Sequence, residues 1–171
     1  VSVRTFMLLI AAARSGDQSY ARSIAEWRRL RAEIEAGAFA LEPAAEIADR
    51  WTGQGVLLLN TALTLSRFEV AGDPHQLRGH LPLWRPFIVA VLRHLAERGT
   101  PIVFMGFGAQ AAEALAAAGV APTAEYERPT GNVACILREH PARGDEVLAA
   151  PNPFTLANRN LAALGASAVS W

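Results

Sequence analysis

An asparagine, a histidine and a glycine-rich turn are the residues of this chain whose types and placing suit chemistry on a ligand. Asn60 closes the run Gln54-Gly55-Val56-Leu57-Leu58-Leu59-Asn60-Thr61. Its amide donates and accepts hydrogen bonds at once, which suits it to reading the edge of a base-like ligand. An Asn in this place also serves simply to cap the next segment or to close a turn. His140 follows the apolar run 133–137 in the order Arg138-Glu139-His140-Pro141. A lone histidine there is either a structural hydrogen-bonder or a group poised for proton and anion chemistry. Gly106-Phe107-Gly108-Ala109 joins an apolar run to a helical pattern. It leaves free backbone N–H groups at a helix N-terminus, a place suited to a phosphate. It matches neither a Walker loop nor a GxGxxG, and glycine also serves such a turn with no ligand present.

Other chemistry-bearing residues read as bland. His75 and His80 share one loop, but only Asp73 accompanies them, so no metal centre is expected. Arg28, Arg29, Arg31, Glu33 and Glu35 share the charged side of one helical stretch and read as a solvated face. Cys135 is the only cysteine, which excludes an internal disulfide and a multi-cysteine metal site. All 16 basic residues are Arg and they balance 16 acidic ones, so no bulk field recruits nucleic acid. With 171 residues, 51% of them hydrophobic and a mean hydropathy of +0.17, the chain suits one packed domain over 1–171. No apolar run approaches the roughly 20 residues of a membrane span, and no signal peptide is evident. A soluble, cytoplasmic protein is expected. Val1 stands where an initiator Met would, and a helical pattern starts almost at once, so the chain reads as a fragment.

The elements that must position these residues follow from periodicity. A helix over 2–14 carries Phe6, Met7, Leu9, Ile10 and Ala13 behind a capping Ser2, and Gly16-Asp17 breaks it. A second helix is predicted over 18–36 from Tyr20, Ile24, Trp27, Leu30 and Ile34. Pro43 suits the first turn of a short helix through Ile47 and Trp51. The unbroken apolar run before Asn60 reads as a strand buried on both faces. Ala71-Gly72-Asp73-Pro74 marks a turn. Residues 81–98 form the clearest helix, with Trp84, Phe87, Ile88, Val91, Leu92 and Leu95 on one core face. Strand 102–105, helix 110–118, strand 133–137 and a last helix over 155–164 complete the order. Strands alternating with helices predict an α/β fold, three-layer α/β/α with a short parallel central sheet. Asn60, the Gly106–Gly108 turn and His140 then meet at one edge of that sheet, where open α/β sheets bind ligands.

At these residues the sequence resembles the uracil-DNA glycosylase superfamily, and its family 1 type most. Asp49-Arg50-Trp51 through Gln54-Gly55-Val56-Leu57-Leu58-Leu59-Asn60-Thr61-Ala62-Leu63-Thr64 resembles the stretch around that family's base-reading Asn. Trp84 and Phe87 match its Gly-Trp-x-x-Phe, with Leu83 in place of the Gly. Phe107-Gly108-Ala109 falls on Trp-Gly-Ser, and His140-Pro141-Ala142 on His-Pro-Ser. The tail from Phe154 through Asn158, Leu161 and Gly165 to Trp171 keeps the family spacing, so the resemblance spans nearly the whole chain.

The resemblance implies an enzyme that flips uracil out of DNA and hydrolyses its N-glycosidic bond without metal or cofactor. Asn60 would then read the uracil edge that differs from cytosine. His140 would stabilise charge developing on the uracil O2. Gly108 and Ala109 would give backbone N–H groups to a phosphate, and Pro141, Ala142 and Arg143 would lie along the DNA. The partner implied is uracil-containing DNA, and the protein a monomer. Two departures stand out. The family's water-activating Gly-Gln-Asp-Pro-Tyr is absent from these residues, and with it the first strand of the family fold. Arg143-Gly144 stands where the family has its Pro-Leu wedge, which leaves Arg143, Val147 and Leu148 as the candidates for that role. Three functions remain open: a uracil-DNA glycosylase whose catalytic Asp lies outside this stretch, a catalytically inactive glycosylase-like module that binds DNA or protein, and an unrelated α/β domain that uses the same strand-edge pocket for a nucleotide. As a three-strand remnant with an unpaired interior edge, the isolated chain is expected to be poorly stable or aggregation-prone.

Overall fold

Helical periodicity near the start produces α1 (Ser2–Ser15), which buries Leu8, Leu9, Ile10, Ala11 and Ala12 along one side. It ends where Gly16 takes φ +74° and its N–H bonds the Ala12 carbonyl at 3.0 Å. The computed structural model describes residues 1–64, 80–125 and 127–171. After α1 come two short 3₁₀ turns, Gln18–Ala21 and Ile24–Glu26, then α2 (Trp27–Glu35) and α3 (Ala44–Thr52). The second half holds α4 (Leu81–Glu97), β1 (Ile102–Phe107), α5 (Ala109–Ala117) and β2 (Val133–Arg138). A 3₁₀ turn at Pro141–Arg143, α6 (Asp145–Leu148) and α7 (Pro153–Ala163) close the chain.

β1 and β2 pair in parallel, with Ile102 opposite Val133 and Phe107 opposite Arg138. Strand alternation divides their side chains between two faces. Val103, Met105 and Ile136 join the cluster built by α1 and α7, around Leu8, Leu9, Phe154 and Ala157. Phe104 and Cys135 turn the other way, onto Leu115 and Ala118, with Leu92 and Leu95 of α4 beside them. The result is the α/β arrangement read from the sequence, a short parallel sheet between two helical layers. Each fully buried Leu or Phe contributes about 2 kcal/mol, so the α1–α7 layer is the main anchor of the sheet. Burial also pushes the Cys135 thiol up to about 11, which leaves it an inert core side chain.

Four elements differ from the sequence reading. Residues 56–60 are not a strand: they join no ladder, and Leu57 and Leu58 are 60% and 58% exposed. An apolar run signals burial, but neighbouring strands must supply it, and among the described residues none pairs with this segment. The helix expected over 18–36 is broken into two 3₁₀ turns and α2. Short polar side chains compete for its backbone: Asp17 Oδ1 accepts the Ser19 N–H at 2.9 Å, and Ser23 Oγ accepts the Ala25 N–H at 3.1 Å. Ser2 lies inside α1 rather than capping it, because Val1 holds the cap position without a side-chain bond. Phe87 is 52% exposed, so the core face of α4 starts at Ile88 rather than Trp84. The Ala71-Gly72-Asp73-Pro74 turn and His75 lie outside the described residues.

Candidate functional site at the carboxyl end of the sheet

Gly108 and His140 meet where the two strands end. The Gly108 N–H bonds the Arg138 carbonyl at 2.8 Å, extending the ladder by one bond. Gly108 then turns with φ +85° and ψ 168°, a conformation open in practice only to glycine, and caps α5. A Cβ at this position would stand 3.2 Å from His140 Cβ and 3.4 Å from Cδ2. Glycine therefore does two things here, making the turn and letting the histidine lie against it. Ala109 and Gln110 open α5, where backbone N–H groups have no helical partner.

His140 itself is exposed, yet its ring is held. The Ala142 N–H donates to Nδ1 at 3.2 Å, so in the neutral ring the proton resides on Nε2. The turn that carries it is closed by the Arg143 N–H on the His140 carbonyl at 2.8 Å. Buried Pro141 anchors it, and the Thr5 hydroxyl of α1 donates to the Pro141 carbonyl at 2.9 Å. Thr5 is fully buried. The sequence reading passed over it, although a β-branched hydroxyl on an apolar helical face is a signal of a specific partner.

Asn60 reaches the same edge by a loop rather than a strand. It is exposed, and the next residue, Thr61, lies 3.4 Å from Gln110 Oε1 through its hydroxyl. Thr64 ties the loop to α4, accepting from Trp84 Nε1 and contacting His80 Nδ1, both at 2.7 Å. Asn60 and the α5 terminus therefore share one neighbourhood. Among the described residues no group of three or more His, Cys, Asp or Glu is arranged to hold a metal ion.

Of the three wedge candidates, Val147 and Leu148 are buried in the α1 layer. Arg143 is exposed and ion-paired on both sides, with Glu139 at 3.5 Å and Glu146 at 3.0 Å. Glu146 above all, and then Glu139, raise its already high pKa, so it carries its charge throughout. Ala142 beside it is exposed. The Arg-rich face of α2 is solvated and internally paired, Arg29 with Glu33 at 2.9 Å and Arg31 with Glu35 at 2.7 Å.

A cleft of about 190 Å³ lies elsewhere, between Pro122, Thr123, Ile136, Leu156 and Asn160. It contains none of Asn60, Gly108 and His140. Its Arg138 is already engaged by the Pro151 carbonyl and by Glu125 at 2.8 Å. The strand-end group, with N–H groups that have no helical partner at the start of α5 and a histidine held through Nδ1, is the better founded candidate.

The chain is similar in sequence to several named proteins. A uracil-DNA glycosylase of Parafrankia sp. (strain EAN1pec) is 34% identical over 121 residues, 71% of this chain and 47% of its own length. Uracil-DNA glycosylase 1 of Streptomyces avermitilis is 33% identical over the same shares. A uracil-DNA glycosylase of Sinorhizobium medicae is 44% identical over 63 residues, 37% of this chain and 24% of its own length. The matched part spans about half the length of the first two relatives. No family model matches the chain, and no solved structure matches it significantly.

Proposed function

We propose, on the premise that the chain belongs to the uracil-DNA glycosylase superfamily, that these residues form the base-reading and anion-stabilising side of a uracil-DNA glycosylase. The reaction is hydrolysis of the N-glycosidic bond of a uracil flipped out of DNA. The observation that carries the reading is the state of His140. With Nδ1 occupied by the Ala142 N–H, a neutral ring carries its proton on Nε2, which is then a donor. A donor aimed at the uracil O2 gains strength as that oxygen becomes anionic, so it lowers the barrier more than it tightens substrate binding.

The other assignments follow the same edge. Asn60 pairs with the uracil edge where cytosine carries an amino group instead of a carbonyl. Gly108 and Ala109 offer backbone N–H groups to a DNA phosphate at the N-terminus of α5. Pro141, Ala142 and Arg143 run along the DNA, and Arg143 is the only exposed one of the three wedge candidates. Charge on the DNA must displace Glu139 and Glu146 from Arg143, which makes that contact salt-sensitive. The Gly-Gln-Asp-Pro-Tyr that the resemblance calls for does not occur in these 171 residues, and on this reading the residue that activates water lies outside them. We place the protein in the cytoplasm as a monomer acting in base excision repair, without metal or cofactor.

The test is uracil release from uracil-containing DNA by the full-length protein, beside the same oligonucleotide carrying cytosine. Release of uracil alone, undiminished by EDTA, is the expected result. DNA binding without release, at any enzyme concentration, would replace this reading with that of a catalytically inactive binding module. Loss of release in EDTA would overturn the metal-free assignment.

A further inference from the structure

The structure assigns Thr5 as a positioning residue for His140, an inference that rests on the function proposed above. Thr5 sits one turn into α1 and is fully buried. Two carbonyl oxygens lie near its hydroxyl, that of Val1 at 3.3 Å and that of Pro141 at 2.9 Å. A hydroxyl has one proton to donate. The Val1 carbonyl already accepts the Thr5 backbone N–H at 3.0 Å. The Pro141 carbonyl is the nearer and takes the hydroxyl proton, joining two elements 136 residues apart in the chain.

That bond has leverage because the turn it holds is short. The Pro141 carbonyl also accepts the Gly144 N–H, at 3.2 Å, while the His140 carbonyl accepts the Arg143 N–H. The proline cannot donate a backbone hydrogen bond of its own. The orientation of the Pro141–Ala142 peptide is therefore set from outside the turn by the Thr5 hydroxyl. The Ala142 N–H that fixes the His140 tautomer belongs to that same turn. Without the hydroxyl, the Pro141 carbonyl keeps only the longer Gly144 bond and the turn is free to roll. The Ala142 N–H then leaves Nδ1, and the ring loses both its tautomer and its aim. Thr5 touches no substrate in this scheme, because its hydroxyl is enclosed between α1 and the turn.

The experiment uses the full-length protein and three variants: Thr5→Val, which keeps the shape and removes the donor, Thr5→Ser, which keeps the donor, and Ser15→Ala. Ser15 is another α1 hydroxyl, bonded to the Ala11 carbonyl at 2.8 Å and remote from the turn. Two readouts are taken: the imidazole nitrogen shifts of His140 by NMR, and kcat and KM for uracil release. In the wild type, Thr5→Ser and Ser15→Ala, the neutral ring is expected as the Nε2–H form alone. In Thr5→Val the expected result is a mixture of tautomers and a kcat about tenfold lower with KM unchanged. Thr5→Val with wild-type nitrogen shifts and kcat overturns the inference. So does a Thr5→Ser that melts like the wild type yet shows mixed tautomers, an arm that stands even if Thr5→Val does not fold. Absence of uracil release from the wild type overturns the proposed function instead, and the nitrogen shifts still decide the part played by Thr5.

Discussion

At the scale of single residues, the proposed site rests on two side chains and one missing side chain. In the proposed function Asn60 would discriminate and His140 would stabilise charge, so their substitutions should fail differently. Asn60→Asp should admit cytosine, read as cytosine released from a cytosine-containing duplex; unchanged selectivity would remove Asn60 from base reading. His140→Ala should cost about 3 kcal/mol of transition-state stabilisation, roughly a hundredfold in kcat, with DNA affinity nearly intact. A collapse of affinity instead would make His140 a structural residue. Gly108→Ala tests the contact between the two strand ends. The substitution meets both a glycine-only backbone conformation and the His140 side chain, its Cβ at 3.2 Å and its ring Cδ2 at 3.4 Å. We expect a loss of about 1–2 kcal/mol in stability, read by denaturant melts, together with a fall in kcat.

At the scale of elements, the C-terminal segment is held by an ionic clamp that joins α1, α3 and the last residues. Glu42 lies between Arg14 at 2.7 Å and Arg50 at 2.5 Å. The same two arginines donate to the carbonyls of Trp171 and Ser170. Trp171 in turn packs on Phe154 and Trp51, with ring centroids 5.0 Å and 5.4 Å away, and donates from Nε1 to the Phe154 carbonyl. Partial burial raises the Glu42 carboxyl, but its backbone hydrogen bond and the two guanidinium groups outweigh that and hold it down to about 2. A depressed carboxyl stabilises the fold above its unfolded pKa, and that contribution is lost as pH falls through the folded value. Wild-type stability should thus decline between about pH 4.5 and 2, by on the order of 1–2 kcal/mol for this group, since it is partly exposed and screened. Glu42→Gln should be less stable at pH 7 and should flatten that decline. Melts of the two proteins that stay parallel from pH 7 to pH 2 would show that the clamp contributes nothing.

At the scale of the whole molecule, the apolar surface around residues 57–63 and α4 stands out. Leu57, Leu58, Leu63, Leu83 and Phe87 are all between 43% and 71% exposed. Singly such residues are ordinary, but five of them at the start of α4 and along one loop invite association. The isolated 171-residue chain should therefore scatter light at micromolar concentration. The double variant Leu57→Ser, Leu58→Ser should reduce that scattering without lowering the melting midpoint, because neither side chain is in the core. A lowered midpoint would mean that the two leucines are buried in solution.

The sequence by itself determined the order of elements from α4 onward, the parallel pairing of the 102 and 133 strands, and the residues placed at their ends. Those properties follow from local periodicity and from glycine at a turn, which act over a few residues. It also determined the resemblance, because Asn60, Gly108 and His140-Pro141 occur in order and spacing along the chain. Tertiary structure decided what depends on neighbours. The apolar run before Asn60 has the composition of a buried strand, yet a strand needs a partner for its backbone, and no described segment pairs with it. The helix expected after Gly16 breaks where Asp17, Ser23 and Asp145 take its backbone N–H groups, and Asp145 lies 121 residues from its partner Ile24. Burial of Val147 and Leu148, which leaves Arg143 alone at the surface among the wedge candidates, is likewise set by α1. The bond from Thr5 to Pro141 spans 136 residues: a hydroxyl on an apolar helical face signals a partner, but only packing decides which one.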